Sequence, residues 1–580
     1  MGTPSLTTNA IENLIETIDP NKMKTKSFAK YAYLLTALLM FAQLAVAQFI
    51  EVPEEKASCT SIMVGKKATT DGSVITCHSC DGPYRTWLNI VPHKKYDEGA
   101  SRKVYWGLMH NEFSGDMRNV TEKGTIPQVT ETYSYLNTCY PSLNEKQLAM
   151  GETTFGGKQS MQNDDGLFLI EELQAIAMER CTNARDAIKL MGDLATQYGY
   201  GDSGECLTVA DKNEVWHFEI MGAGVEKIGA VWAAVRIPDD HVGVSANICR
   251  ISTLDLNKPD YYLASENVIS LAEGMGFYDS KSGEPFKFWK AYGGRKPFST
   301  REWYVLSTMA PSLNLTAEMD ELPFSVKPEK KQSVRDIMAY YRVTYEGTDL
   351  DATKNMLVPK SNFGRRAAAT PEGQPAAAPE MVKSGLASPF MSRDMIALVN
   401  ALKPGTIAGQ RTIAISGCSY SNVIQCRDWL PDDIGGVAWF SFDNPASSPR
   451  IPIYAGTLSL PDNYLVCGQK KYRTDAAIWG FRETNRLAEL HWERTRVLLE
   501  TAVKEFEDKA FAELPMMDKM AVEMMKADKG KEPEKDARGI VKPPRYREFL
   551  TNYTNDFARA TATKWVEIKG QLWTGFATGL

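Results

Sequence analysis

Histidine is scarce in this chain, with only His78, His93, His110, His217, His241 and His491 in 580 residues. No spacing among them marks out a cysteine–histidine pair, so nothing in the pattern supports a nucleophile activated by a separate imidazole. Excess positive charge is missing too: 66 basic side chains face 72 acidic ones, a net charge of -6. That balance gives no electrostatic reason for a nucleic-acid partner. Convincing internal repeats are absent, which removes repeat architectures. The ten cysteines are too sparse for a small disulfide scaffold, and their pairing is not legible. One C-x-x-C, Cys77-His78-Ser79-Cys80, has no second ligand pair at zinc spacing. It also runs straight into Asp81-Gly82-Pro83, a turn signal rather than the helix start of a redox site. Ordinary buried or paired cysteines are the expectation there.

A 43% hydrophobic content over this length can build a sizeable core. The clearest local signal begins at Met23. Lys24, Lys26 and Lys30 precede an apolar run over residues 31–47 that ends in Ala45-Val46-Ala47, a small-x-small cleavage pattern. The run is short for a bilayer span and contains Gln43, so residues 23–47 are expected to be a removable export signal that leaves no stable membrane anchor. Residues 1–22, with Glu12, Glu16 and Asp19, are unlike a signal's leading region and are expected to be an upstream extension. Residues 48–58 have the size of a propeptide. They also separate the apolar run from Cys59, which argues against a lipid-modified cysteine.

From Cys59 the pattern predicts a hairpin, with strands over 60–65 and 73–78 about a turn at Asp71-Gly72. Helices follow over 167–180 and 184–198, the second with Asn183 as N-cap and Gly199 as stop. Two further hairpins are expected, 207–211 with 215–220 and 231–237 with 241–247. Residues 366–389, rich in Ala and Pro, are expected to be a mobile insertion. Strand character returns over 411–416 and 435–442. A long helix over 474–514, stopped by Pro515, and another over 553–572 would flank a charged, loop-like stretch. The fold class is α+β, with helices on antiparallel sheet. A catalytic domain over 59–473 and a helical C-terminal appendage over 474–580 complete the expected division.

A cysteine uncovered by removal of a leader can use its own α-amine as base, because that amine exchanges protons near neutrality. The surrounding blocks are more specific. Cys59-Thr60-Ser61-Ile62-Met63-Val64-Gly65 with Asp71-Gly72-Ser73 and Asp81 opens a series that continues through Asn144-Glu145 and Gly151-Glu152-Thr153-Thr154. The series extends to Trp232-Ala233-Ala234-Val235-Arg236-Ile237-Pro238, Ser245-Ala246-Asn247, Tyr345-Glu346-Gly347-Thr348 and Gly435-Gly436-Val437-Ala438-Trp439-Phe440. In number and order these blocks resemble the dipeptidase A family of cysteine N-terminal-nucleophile hydrolases.

The resemblance implies a four-layer αββα sandwich, self-cleavage at Ser58-Cys59, thiolate attack on a peptide carbonyl and an acyl-enzyme, with no metal or other cofactor. It implies catalytic roles for Cys59, Asp81 and Asn247, the last as an amide N–H donor to the oxyanion. Asp81 would hold the Cys59 ammonium or the substrate amine. Asn144 and Glu152 would contact substrate, and Arg250 would anchor its carboxylate. His78 stands where many relatives carry Arg; it is shorter and titrates near neutrality, and so would alter thiolate support or substrate anchoring. A turn aspartate, a capping asparagine, an exposed strand histidine and a salt-bridged arginine are the structural alternatives for Asp81, Asn247, His78 and Arg250. The expected activity is that of an exported dipeptidase, periplasmic or secreted, acting on dipeptides. An amidase or acyl-amino-acid hydrolase and a catalytically silent envelope scaffold are the alternatives. Assembly into a homo-oligomer is left open by the sequence.

Overall fold

The computed structural model describes residues 58–360, 380–539 and 541–579. The upstream extension, the export signal, the leader up to residue 57 and the insertion as far as residue 379 lie outside the described residues. Two antiparallel sheets carry the core. The first contains β1 (Ser61–Val64), β2 (Val74–Asp81), β10 (Val242–Ser245), β12 (Ser325–Val326), β13 (Cys418–Cys426), β14 (Val437–Phe442) and β15 (Ile451–Tyr454), ordered β12-β10-β1-β2-β13-β14-β15. The second contains β3 (Asn89–Val91), β4 (Tyr135–Asn137), β5 (Leu143–Asn144), β6 (Ala149–Gly156), β7 (Gly204–Ala210), β8 (Val215–Gly222), β9 (Ala230–Ile237) and β11 (Tyr262–Ala264). Its order is β11-β9-β8-β7-β6-β5-β4-β3.

The sheets pack face to face through β2 and β6. Gly151 marks their closest approach: a Cβ there would lie 2.5 Å from the Cys77 carbonyl oxygen, a contact no side chain can make. Polar pairs cross the same interface, Thr76 Oγ1 with Thr208 Oγ1 and Thr153 Oγ1 with Ser245 Oγ, each at 2.6 Å. A polar sheet interface is stable only with such pairing, because an unmatched buried hydroxyl costs about 1–3 kcal/mol.

Helices cover both outer faces. On the second sheet, α1 (Ile170–Arg180) packs beside α2 (Ala184–Tyr198), which rests on β7, β8 and β9. The predicted caps of α2 are present: the Asn183 side chain accepts from the Asp186 N–H, and Gly199 ends the helix at φ 91°. Against the first sheet lie α3 (Thr300–Met309) on β10, α4 (Val334–Tyr340) on β13, and α5 (Ala477–Glu489), α6 (Trp492–Asp528) and α7 (Arg545–Thr578) on β14 and β15. The last three bury Phe481, Leu499, Leu550, Phe557 and Trp565. The expected C-terminal appendage is therefore a layer of the same compact unit, because its apolar stripes are matched to the sheet. Among the described residues no helix is long and apolar enough to cross a membrane.

Three local expectations are corrected. Residues 231–237 and 241–247 do not form a hairpin: β9 lies in the second sheet and β10 in the first, where Ile62 pairs with Val244. The turn that looked like a hairpin loop is instead tied to the β1–β2 connection, with Lys67 and Ala68 N–H groups donating to the Asp239 carbonyl. Residues 411–416 are not a strand; β13 begins at Cys418. Pro515 does not stop a helix but lies within α6, while the break falls at Leu490-His491. A proline costs a helix interior about 3 kcal/mol, and α6 is pinned on both sides of it. Phe511 stacks on Trp439 at 4.4 Å, and Asp518 accepts from Tyr454 Oη at 2.9 Å.

All ten cysteines are free and buried. Cys77 and Cys80 lie three residues apart on one strand and so point to opposite faces, which separates the thiols of the C-x-x-C.

Candidate active site

Cys59 lies two residues before the buried strand β1 and is itself buried. Its backbone N–H donates to Asn247 Oδ1 at 2.7 Å. On the other side of the same peptide bond, the Ser58 carbonyl accepts from Arg411 Nη2 at 2.9 Å, and Ser58 Oγ accepts from Arg411 Nε at 2.9 Å. Arg411 Nη2 is shared with Asp81 Oδ2 at 2.7 Å, and Ser79 Oγ donates to that same oxygen at 3.0 Å. Asp81 also holds the leader's last residue through its backbone, its carbonyl accepting from the Ser58 N–H at 3.0 Å. Both atoms of the Ser58-Cys59 amide that can hydrogen-bond are thus bonded.

A second arginine lies beneath the cysteine. Arg301 Nη1 donates to the Cys59 carbonyl at 2.6 Å and to Thr60 Oγ1 at 3.0 Å, and Nη2 donates to the Ala246 carbonyl at 2.9 Å and to Asn247 Oδ1 at 3.0 Å. Burial, with Arg411 nearby, pushes its pKa down to about 10, so the guanidinium stays charged at neutral pH. Asn247 has φ 62°, in the left-handed region that Asn tolerates better than most residues. Its Nδ2 donates to the Thr154 carbonyl at 2.8 Å. That bond uses one of the two Nδ2 hydrogens, and the Asn247 oxygen faces the Cys59 nitrogen.

On the thiol side, Cys59 Sγ, a His78 ring nitrogen and a Glu152 carboxylate oxygen all lie within 4.8 Å of one another. Burial raises the Cys59 thiol pKa well above its ordinary value, and the Glu152 and Asp81 charges raise it further. Burial also lifts Glu152 to about 7, opposed by the polar groups of Glu205, Thr154 and Cys59 beside it. Thr154 Oγ1 donates to Glu152 Oε1 at 3.0 Å. His78 is buried between Tyr140 and Tyr420, with Nδ1 2.7 Å from the Glu152 carbonyl oxygen. Burial lowers its pKa to about 4. The expectation of a residue titrating near neutrality is corrected: His78 is a neutral, packed imidazole and not a cation for a substrate carboxylate.

Two expected site residues belong to the frame. Asn144 Nδ2 donates to the Met178 and Cys181 carbonyls, and its Oδ1 accepts from the Lys146 and Leu148 N–H groups, each at 2.9 Å. Arg250 is buried and donates to the carbonyls of Pro297, Pro323 and Phe324. The Asn144 amide is fully used by the chain, whereas Arg250 keeps a buried Nε without a partner. Arg301, Arg411, Thr154 and Glu205 are the site residues that sequence reasoning missed. The only local signal was the capping box Ser299…Glu302 that opens α3 and places Arg301 in its first turn.

A second buried group of metal-ligating types joins Cys206, His217 and Glu219. There the Glu219 carboxylate already accepts from His217 Nε2 at 2.7 Å, the Cys249 thiol at 2.9 Å and the Ile251 N–H at 3.2 Å, and also from the Arg250 N–H. Its lone pairs are satisfied by the chain's own donors.

Behind Glu152, burial also raises the carboxyl pKa values of Glu205, Asp202 and Glu171. A carboxyl whose folded pKa is raised holds its proton in the native state after the unfolded chain has released it. Its contribution is present below the unfolded value near 4.5 and is lost as pH rises through the folded one, about 1.4 kcal/mol per unit per proton. Thermal midpoints are therefore expected to fall between pH 5 and pH 8, and Glu205→Gln is expected to flatten that decline. An equal slope in the variant, read by calorimetry, sinks the account.

The sequence model of peptidase family C69 matches residues 58–505. A "Probable dipeptidase" of Latilactobacillus sakei is 25% identical over 464 residues, covering 76% of this chain and 82% of that protein. A "Probable dipeptidase" of Salmonella dublin is 25% identical over 412 residues, 69% of this chain and 81% of its own length. A "Probable dipeptidase B" of Streptococcus pyogenes serotype M1 is 22% identical over 444 residues, covering 75% and 79% respectively.

Proposed function

This chain belongs to peptidase family C69, and on that premise we propose that it hydrolyses dipeptides through Cys59, uncovered as the N-terminus by cleavage at Ser58-Cys59. The observation that carries the reading is the setting of that one bond. It joins the leader to a buried strand, its nitrogen faces Asn247 Oδ1, and its carbonyl faces Arg411. The two packed sheets, covered by helices on both sides and headed at β1 by Cys59, support the αββα N-terminal-nucleophile sandwich.

After the cut, the Cys59 nitrogen is a primary amine still opposite Asn247 Oδ1 and takes the thiol proton. Sγ attacks the dipeptide carbonyl, the ammonium returns its proton to the departing amine, and a thioester remains. Water, giving a proton to the same α-amine, then releases the acyl half. Arg301, on both the Cys59 carbonyl and Asn247 Oδ1, fixes the nucleophile's backbone and the group that orients its amine. Asp81 and Glu152 supply the negative charge that a dipeptide's free ammonium requires. The basic and apolar pattern of residues 23–47 supports an activity outside the cytoplasm, in a periplasm or in the medium.

The test is the N-terminal mass of purified active protein together with its turnover of dipeptides and of acylated amines. A chain starting at Cys59 that hydrolyses dipeptides is expected. Full activity with Ser58 still attached removes the mechanism, and turnover of acylated amines alone removes the dipeptide substrate.

A further inference from the structure

An intact Ser58-Cys59 bond sets a problem that the finished enzyme does not have. The base of the mature mechanism is the α-amine, and before the cut that nitrogen is an amide. It has no basic lone pair, and its hydrogen is held by Asn247. The thiol beside it is buried and protonated. Some other group must take the thiol proton if the chain cuts itself. Two candidates lie within 4.8 Å of Sγ, His78 and Glu152. His78 Nδ1 sits against the Glu152 backbone and its Nε2 lies 3.4 Å from Tyr420 Oη, so both ring nitrogens already have neighbours. Glu152 keeps one carboxylate oxygen, Oε2, buried and without a hydrogen-bond partner, while Thr154 holds the other.

Resting on the reading above, we propose that Glu152 is the general base of self-processing and Arg411 the group that receives the oxyanion. The Cys59 thiol passes its proton to Glu152, and Sγ bonds to the Ser58 carbonyl carbon. The carbonyl electron pair moves onto the oxygen facing Arg411 Nη2 at 2.9 Å. Collapse of this intermediate breaks the bond from carbon to the Cys59 nitrogen, which takes the proton back from Glu152. The products are a Ser58 thioester on Sγ and a free α-amine. Water adds to the thioester and releases Ser58 as a carboxylic acid, restoring the thiol. With its proton affinity placed at about 7 by burial, Glu152 can accept and return a proton near neutrality, as an efficient general base requires. The assignment gives the acid beside the thiol a use before the α-amine exists.

The test follows the cut and not turnover. Full-length chain is made by cell-free synthesis, and conversion to the form starting at Cys59 is timed by intact mass. Glu152→Gln is expected to slow conversion at least about 100-fold, the ordinary size of a general-base contribution. Glu152→Asp, which keeps a carboxylate on a shorter arm, is expected to retain part of the rate. Glu152→Met, similar in length and without polar atoms, serves as a second neutral variant should the amide disturb the fold. Conversion of either neutral variant at the wild-type rate overturns the assignment while leaving the proposed function standing. A wild-type chain that never cuts itself overturns the assignment too, while the proposed function then stands or falls on whether the active protein starts at Cys59.

Discussion

Replacing Cys59 with alanine is expected to reduce dipeptide hydrolysis to background, at least about 10⁴-fold in kcat/KM, and to leave Ser58 on the chain. Such a loss corresponds to more than about 5 kcal/mol of transition-state stabilisation. No neighbouring group can replace the thiol. Among the groups around it, His78 is packed and neutral and Asp81 is tied to Arg411 and Ser79. Removal of one sulfur atom leaves a small void, so the variant should fold and melt close to wild type. Steady-state kinetics with a mass measurement decide it: residual activity within tenfold of wild type is incompatible with a cysteine nucleophile, and a correctly cut Cys59→Ala chain is incompatible with self-processing.

Arg301→Leu is expected to have the second largest effect, on stability as well as on turnover. The guanidinium supplies donors to the Cys59 and Ala246 carbonyls, Thr60 Oγ1 and Asn247 Oδ1. Leucine fills some of the volume and supplies no donor. Each buried acceptor left without a donor costs about 1–3 kcal/mol. Arg301→Lys keeps the charge but cannot reproduce a planar fork serving four acceptors, and it should fall between leucine and wild type. Denaturant unfolding measures the difference. A loss below about 1 kcal/mol for Arg301→Leu would show that water or a rearranged neighbour satisfies those acceptors.

What the sequence reveals depends on how local the physics is. The ends of α2 are legible because Asn183 and Gly199 act within one turn of the residues they cap. Cys59 stands out because the leader and the downstream blocks surround it in sequence. β13 is not legible: Cys418-Ser419-Tyr420-Ser421-Asn422-Val423-Ile424-Gln425-Cys426 is buried at all nine positions, so it has no wet face to produce alternation. Its polar residues look like a loop until Ser421 is placed opposite Ser79 and Asn422 opposite His78 in the neighbouring strand. The β9–β10 hairpin is misread for the complementary reason: a good turn signal is overridden by pairing with β1. Arg301 and Arg411 escape notice because their contacts with Cys59 and Ser58 span 242 and 353 residues, and no spacing rule reaches that far.

The same long spans set a timetable. Strand β2 closes against β13, with Asp81 opposite Cys418 and Val74 opposite Cys426. A chain still being synthesised, with β1 and β2 complete, has neither this partner strand nor the guanidinium that grips the leader. Pairing across such distances forms late, after a large loop-closure cost has been met. The surroundings of Cys59 therefore come together only when the last third of the chain is present. Topology alone keeps a thiol near the beginning of the chain without its chemical neighbours until the protein around it has been built.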